Sequence, residues 1–133
     1  MKKWIFLTTA LVSSQTWANL HLAPPDFNTS DVAVAYASTE ITGLGDEAVT
    51  LDDTTLAATA LNALDGETTG VVNAGSVTTL TGSASDVTAA YASTGITGLG
   101  DEAVTLDDTT LAVTALNALD GETTGVVNAC SVS

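Results

Sequence analysis

Beyond its third residue this 133-residue chain has no lysine or arginine. Lys2 and Lys3 stand alone against 16 Asp and Glu. No Lys or Arg salt bridge can therefore form anywhere from residue 4 onward. Each carboxylate has to be solvated, hydrogen-bonded to backbone N–H, or matched by a cation from outside. Nucleic acid is excluded as a partner, because Lys and Arg dominate phosphate contacts. Anionic membrane surfaces are disfavoured for the same reason.

Other shortages narrow the reading further. Cys130 is the single cysteine, so no intrachain disulfide is possible. Its counterpart is Gly75, so a drifted, inert position is the plainer reading; the sharper one is an exposed thiol that forms a Cys130-linked dimer in an oxidising compartment. His21 is the single histidine and has no cysteine nearby, which does not make a zinc site. The many Ser and Thr hydroxyls have no His or Lys base in a repeated position, and nucleophilic catalysis needs one. The acidic pairs are adjacent in sequence with no aromatic sugar platform, which does not suit a glycosidase. The chain reads as a non-enzyme. Aromatics are 5% of residues while hydrophobics are 45%, mostly Ala, Leu and Val, so the core has to be thin and built from small side chains. That apolar content argues against disorder despite the charge.

No apolar run reaches the roughly 20 residues that span a bilayer. The opening, Met1-Lys2-Lys3 followed by Trp4–Val12, is basic and then apolar, and it ends in small residues. Thr16 and Ala18 fit the −3 and −1 positions, so residues 1–18 are expected to be a secretory signal peptide cleaved after Ala18. The protein is then secreted or held at the cell surface, with no transmembrane span. Residues 19–30 carry Pro24-Pro25, have no counterpart elsewhere, and read as a linker or irregular N-terminal cap.

What the chain does have is a copy of itself. Residues 31–78 recur at 86–133, and 42 of the 48 aligned pairs are identical. The differences are Ala33/Thr88, Val34/Ala89, Glu40/Gly95, Ala58/Val113, Gly75/Cys130 and Thr78/Ser133. Repeat unit 1 is 31–85 and unit 2 is 86–133, which lacks counterparts of Thr79–Ser85. A repeat of this length points to an array. Weaker half-repeats run at offsets of 29 and 26, aligning Leu51 with Leu80, Gly66 with Gly95 and Thr68 with Thr97. Each half reads as a short strand, a turn, a short helix and a glycine stop.

Leu56, Ala60, Ala63 and Leu64 share one helical face over 54–64, with Asp53 or Thr54 as cap and Gly66 as a left-handed stop. The sister helix, 85–95, groups Val87, Ala90 and Tyr91 and stops at Gly95; in its twin Glu40 replaces that glycine. Strands are expected at 48–51, 71–73 and 76–80 and at their copies, since Val and Thr favour them. The expected fold is α/β, a short solenoid-like array of strand–turn–helix half-units with parallel strands and helices alongside.

The acidic turns are the candidate functional residues. They are Asp46, Glu47, Asp52, Asp53, Asp65 and Glu67, and their twins Asp101, Glu102, Asp107, Asp108, Asp120 and Glu122. Calcium takes six to eight oxygens from carboxylates and carbonyls in flexible loops, which glycine–aspartate turns can offer. These turns lack the nine-residue cycle of calcium-binding β-helices and the spacing of an EF-hand. Solvated turns with Asp capping a helix are the plainer alternative.

The phrases at 43–51 (GLGDEAVTL), 61–66 (LNALDG) and 80–87 (LTGSASDV) resemble repeats in very large extracellular proteins of marine cyanobacteria and other bacteria. The likeness covers about residues 31–133. It implies a cell-surface or secreted array of structural or adhesive character, often acidic and calcium-associated. The expected function is a secreted acidic repeat module with a structural or adhesive role at the cell surface, its partners being divalent cations, surface components or other copies of itself. The alternatives are a soluble extracellular calcium-binding protein and a truncated fragment of a larger surface repeat protein.

Overall fold

The computed structural model describes residues 29–38, 43–129 and 132. The expected signal peptide, Glu40 and Cys130 lie outside the described residues, as does the linker apart from Thr29 and Ser30.

Short strands alternate with helices, and all strand pairs among the described residues are parallel, as strands joined by helical crossovers are. The order is α1 (Thr29–Tyr36), β1 (Val49–Thr50), β2 (Thr55–Ala57), α2 (Ala58–Glu67), β3 (Val72–Asn73), β4 (Thr79–Gly82), α3 (Ala84–Ala92), β5 (Ile96–Thr97), β6 (Ala103–Leu106), α4 (Val113–Asp120) and β7 (Val127–Asn128). One sheet runs β1-β3-β5 and the other β2-β4-β6-β7. The expected α/β class with parallel strands is therefore what the chain adopts.

Strand partners are separated along the chain by a nearly constant interval, as in Val49 with Val72, Val72 with Ile96, Leu56 with Leu80 and Leu80 with Val104. The helices begin at Thr29, Ala58, Ala84 and Val113, so their starts follow the longer and uneven half-repeats instead. Strand residues alternate between the core and water, and the inward set is Val49, Leu56, Val72, Leu80, Ile96, Val104 and Leu106. Helix α2 packs on both α1 and α3, and α3 on α4.

Several sequence expectations need correction. Helix α2 starts at Ala58 instead of Thr54, with Ala57 as a cap that makes no side-chain bond. Thr55–Ala57 is drawn into the ladder with Thr79–Thr81, and that pairing overrides its helical pattern. The buried face is consequently Ala58, Leu61 and Leu64; Ala63 is exposed, and Leu56 reaches the core from a strand. Asp53 does not cap α2. It caps α1, accepting from Thr29 N and Thr29 Oγ1, both at 2.7 Å.

Gly66 is not a left-handed stop, since α2 runs through it to Glu67 and its φ is not positive. Helix α3 ends at Ala92 with Ser93 as its cap. Gly95 instead lies against the Asp65 carboxylate, which would have to shift to admit a Cβ there. At the start of α3, Ser83 Oγ accepts from Asp86 N at 3.1 Å and donates to Asp86 Oδ2 at 2.7 Å. Ser83 thus caps the helix, and the Asp86 carboxylate returns to its hydroxyl instead of to its backbone N–H as in a full capping box.

The twin segments do not sit in matching places. Ala48–Leu51 and Ala103–Leu106 have the same sequence, yet among the described residues β1 ends the three-stranded sheet while β6 lies inside the four-stranded one. Both keep the same local partner, with Val49 N donating to Val71 O and Val104 N to Val126 O, each at 2.9 Å. Thr110–Ala112, identical to β2, forms no strand. Strand β2 is held by Thr79–Thr81 of β4, and the described residues offer Thr110–Ala112 no counterpart.

Candidate functional site

Around Glu47 and Glu102 the acidic turns become rigid clips. In the turn Gly98-Leu99-Gly100-Asp101-Glu102 the glycines at 98 and 100 take φ of +82° and +133°, and the twin glycines at 43 and 45 take +86° and +132°. Such angles fold the chain back so that Glu102 meets its own turn. Its Oε2 accepts Gly100 N at 2.8 Å and Asp101 N at 3.2 Å. Glu47 Oε2 makes the same bonds to Gly45 N and Asp46 N. Glu47 and Glu102 are 2% and 1% exposed, so here the chain buries two carboxylates with backbone N–H donors in place of cations.

The segment after the next helix completes each clip. Thr68 Oγ1 donates to Glu47 O at 2.7 Å, and Thr123 Oγ1 to Glu102 O at 2.8 Å. The same hydroxyls accept from Gly70 N and Gly125 N at 3.0 Å. Thr69 N donates to Gly45 O at 2.7 Å, and Thr124 N to Gly100 O at 2.8 Å. Gly70 and Gly125 lie so close to the Glu47 and Glu102 carbonyls that a Cβ on either would overlap them. Sequence reasoning missed the Thr-Thr-Gly triplets as site residues; the signal that marks them is the same separation from their glutamate in both copies.

One contact separates the two clips. Tyr91 OH donates to Glu102 Oε1. In the first copy Tyr36 OH and Glu47 Oε1 are both buried without a hydrogen-bond partner among the described residues. Burial pushes the Tyr91 phenol well above its usual range, and the Glu102 carboxylate adds to the shift.

The remaining candidate ligands fall into two groups. Asp53, Asp65 and Asp108 are half-buried and engaged: Asp108 Oδ2 accepts Ala84 N at 2.6 Å, Asp65 Oδ2 accepts Ser93 Oγ at 2.7 Å, and Asp53 holds Thr29. Asp46, Asp52, Glu67, Asp101, Asp107, Asp120 and Glu122 are exposed. Among the described residues no three Asp, Glu, His or Cys converge as a metal-binding group. The twelve are thus divided between hydrogen-bonded positions and single outward-facing positions.

A cleft of about 450 Å³ opens between α1 and α2, lined by Ala33, Tyr36, Leu56, Ala60 and Leu64 and by the acidic residues Asp53 and Glu67. Among the described residues no helix is long and apolar enough to cross a membrane. No protein-family model, curated protein sequence or solved structure matches this chain.

Proposed function

We propose that the protein is a secreted, non-catalytic repeat module with a structural or adhesive role at the cell surface, built as a short solenoid-like stack of strand–turn–helix coils. The observation that carries this reading is the pair of clips. Their glutamates, among the strongest chemical candidates in the sequence, fold their own turn, and threonine hydroxyls from the next coil bond to the glutamates' backbone carbonyls. Glu102 binds its own turn, and its carbonyl receives Thr123 from the following coil. The near-constant interval between paired strands supports the stack, because each strand meets its neighbour one coil on. The exposed carboxylates face outward singly and would be screened by mobile cations, divalent ones included.

The test is location. A C-terminal epitope tag on the protein should become accessible to antibody on intact cells or appear in the medium, and its N-terminal sequence should begin at Asn19. Recovery of the protein only from the cytosol, with Met1 or Lys2 still at its start, would overturn the reading.

A further inference from the structure

Helices α2 and α3 pack on each other inside the molecule, and the two ends of the described structure present the same two helices again. Segment 113–120, helix α4, repeats 58–65 of α2 with only Ala58 changed to Val113. Segment 31–36 of α1 repeats 86–91 of α3 with Thr88 changed to Ala33 and Ala89 to Val34. We infer that α4 of one molecule packs on α1 of a second copy, head to tail, as α2 packs on α3 within one molecule. This rests on the stacked-coil reading above, not on location.

Exposure at the twin positions says what each end is missing. Ala58 and Leu61 are fully buried under the next coil, whereas Val113 is 71% exposed and Leu116 half-exposed. Ala90 is 1% exposed on α3, whereas Ala35 on α1 is half-exposed. Inside the molecule Asn62 Nδ2 donates to Asp86 O at 2.9 Å across the helix pair. Its twin Asn117 is exposed, and the matching acceptor on a second copy is the Asp31 carbonyl. The surface that covers α2 thus exists in the same chain, in nearly the same sequence, at the opposite end. A second copy is the occupant that the internal interface specifies.

The contact joins two different patches, and because it repeats the stacking of successive coils it adds copies in one direction and generates open-ended chains of molecules. It is also weaker than its internal model. The α2–α3 pair is accompanied by the β2–β4 ladder, but the positions matching Thr79–Thr81 are Pro24, Pro25 and Asp26. Proline supplies no N–H to a ladder. Like charges oppose the approach as well, since each chain carries a formal −14. Association should therefore increase with ionic strength as that repulsion is screened.

Sedimentation velocity on the protein as recovered from expressing cells provides the test. At about 1 M NaCl, where the screening length is about 3 Å, average mass should climb past dimer with concentration, with half-association in the range of about 0.1–1 mM. At about 0.01 M salt, where that length is about 30 Å, the protein should be monomeric. Asn117→Glu should weaken association about tenfold or more, by losing a hydrogen bond and placing a carboxylate against a carbonyl. Ala118→Glu adds the same charge where the twin, Ala63, is exposed inside the molecule, and it should leave association unchanged. A folded monomer at every concentration, a closed dimer, or equal effects of the two variants overturns the inference and leaves the stack intact. An unfolded circular dichroism spectrum removes both.

Discussion

The twin clips allow one substitution to be made twice in nearly the same sequence with opposite expectations. Tyr91→Phe removes the hydroxyl that donates to Glu102 Oε1. That oxygen belongs to a side chain only 1% exposed, so it is left without a donor in a site that water barely reaches. Leaving a buried acceptor unpaired costs about 1–3 kcal/mol, and more where it is charged. The tyrosine ring is itself half-buried, which lets some water approach and favours the lower part of that range. For a domain of this size each kcal/mol moves Tm by about 4 °C, so Tyr91→Phe should lower Tm by about 4–12 °C. Tyr36→Phe removes a hydroxyl that is buried without a partner among the described residues. It deletes an unsatisfied polar atom and no bond, so Tm should stay level or rise slightly. Both variants are measured by thermal melts followed by far-ultraviolet circular dichroism, with urea titration supplying the free energies. Equal losses at 36 and 91 would refute the claim that the tyrosine–glutamate bond stabilises the second clip, and a loss at 36 alone would invert it.

The remaining predictions use the same clips and the charge. Gly98→Ala should cost about 2–4 kcal/mol, because it strains a φ of +82° and puts a Cβ 2.6 Å from Gly75 N, whereas Gly43→Ala meets nothing within 4 Å among the described residues and should cost only about 1 kcal/mol for its φ of +86°; urea midpoints separate the two. Tyr91 keeps its proton in the folded state to a higher pH than in the unfolded chain, where a phenol titrates near 10. Stability is therefore level with respect to this group below about pH 9 and falls as pH rises above about 10, by at most about 1.4 kcal/mol per unit, less for a half-exposed ring; Tyr91→Phe should remove that slope. The exposed carboxylates repel one another without any Lys or Arg nearby, so Tm should rise between about 0.01 and 0.5 M NaCl as the screening length shrinks. Calcium at matched ionic strength should raise it no further if these residues only screen, and an additional rise that saturates with calcium would establish bound ions instead.

The helices were legible because apolar residues spaced by three and four mark a buried stripe, as at Val87, Ala90 and Tyr91. Their boundaries were not, because Thr55-Leu56-Ala57 fits a helix start as well as a strand, and only the remote segment Thr79–Thr81 decides between them. Gly66 and Gly95 looked like helix stops for the same local reason. One lies inside a helix, and the other makes room for the Asp65 carboxylate of α2. The acidic turns were visible as a cluster, but charge alone does not reveal which carboxylate turns inward. Glu47 and Glu102 do so because two left-handed glycines aim backbone N–H groups at them. The donors that complete each clip, Thr68 and Thr123, are remote in sequence and emerge only from the fold.

Among the described residues the tetrapeptide Ala-Val-Thr-Leu stands at a sheet edge as β1 and is flanked on both sides as β6. A refolding chain therefore holds two interchangeable keys for two different locks. Early collapse can seat 103–106 where 48–51 belongs, and such a molecule has to back out before it reaches the native arrangement. Refolding should then show a slow, denaturant-sensitive phase that disappears when either segment is altered, since long-range parallel pairing gives mis-seated strands time to persist.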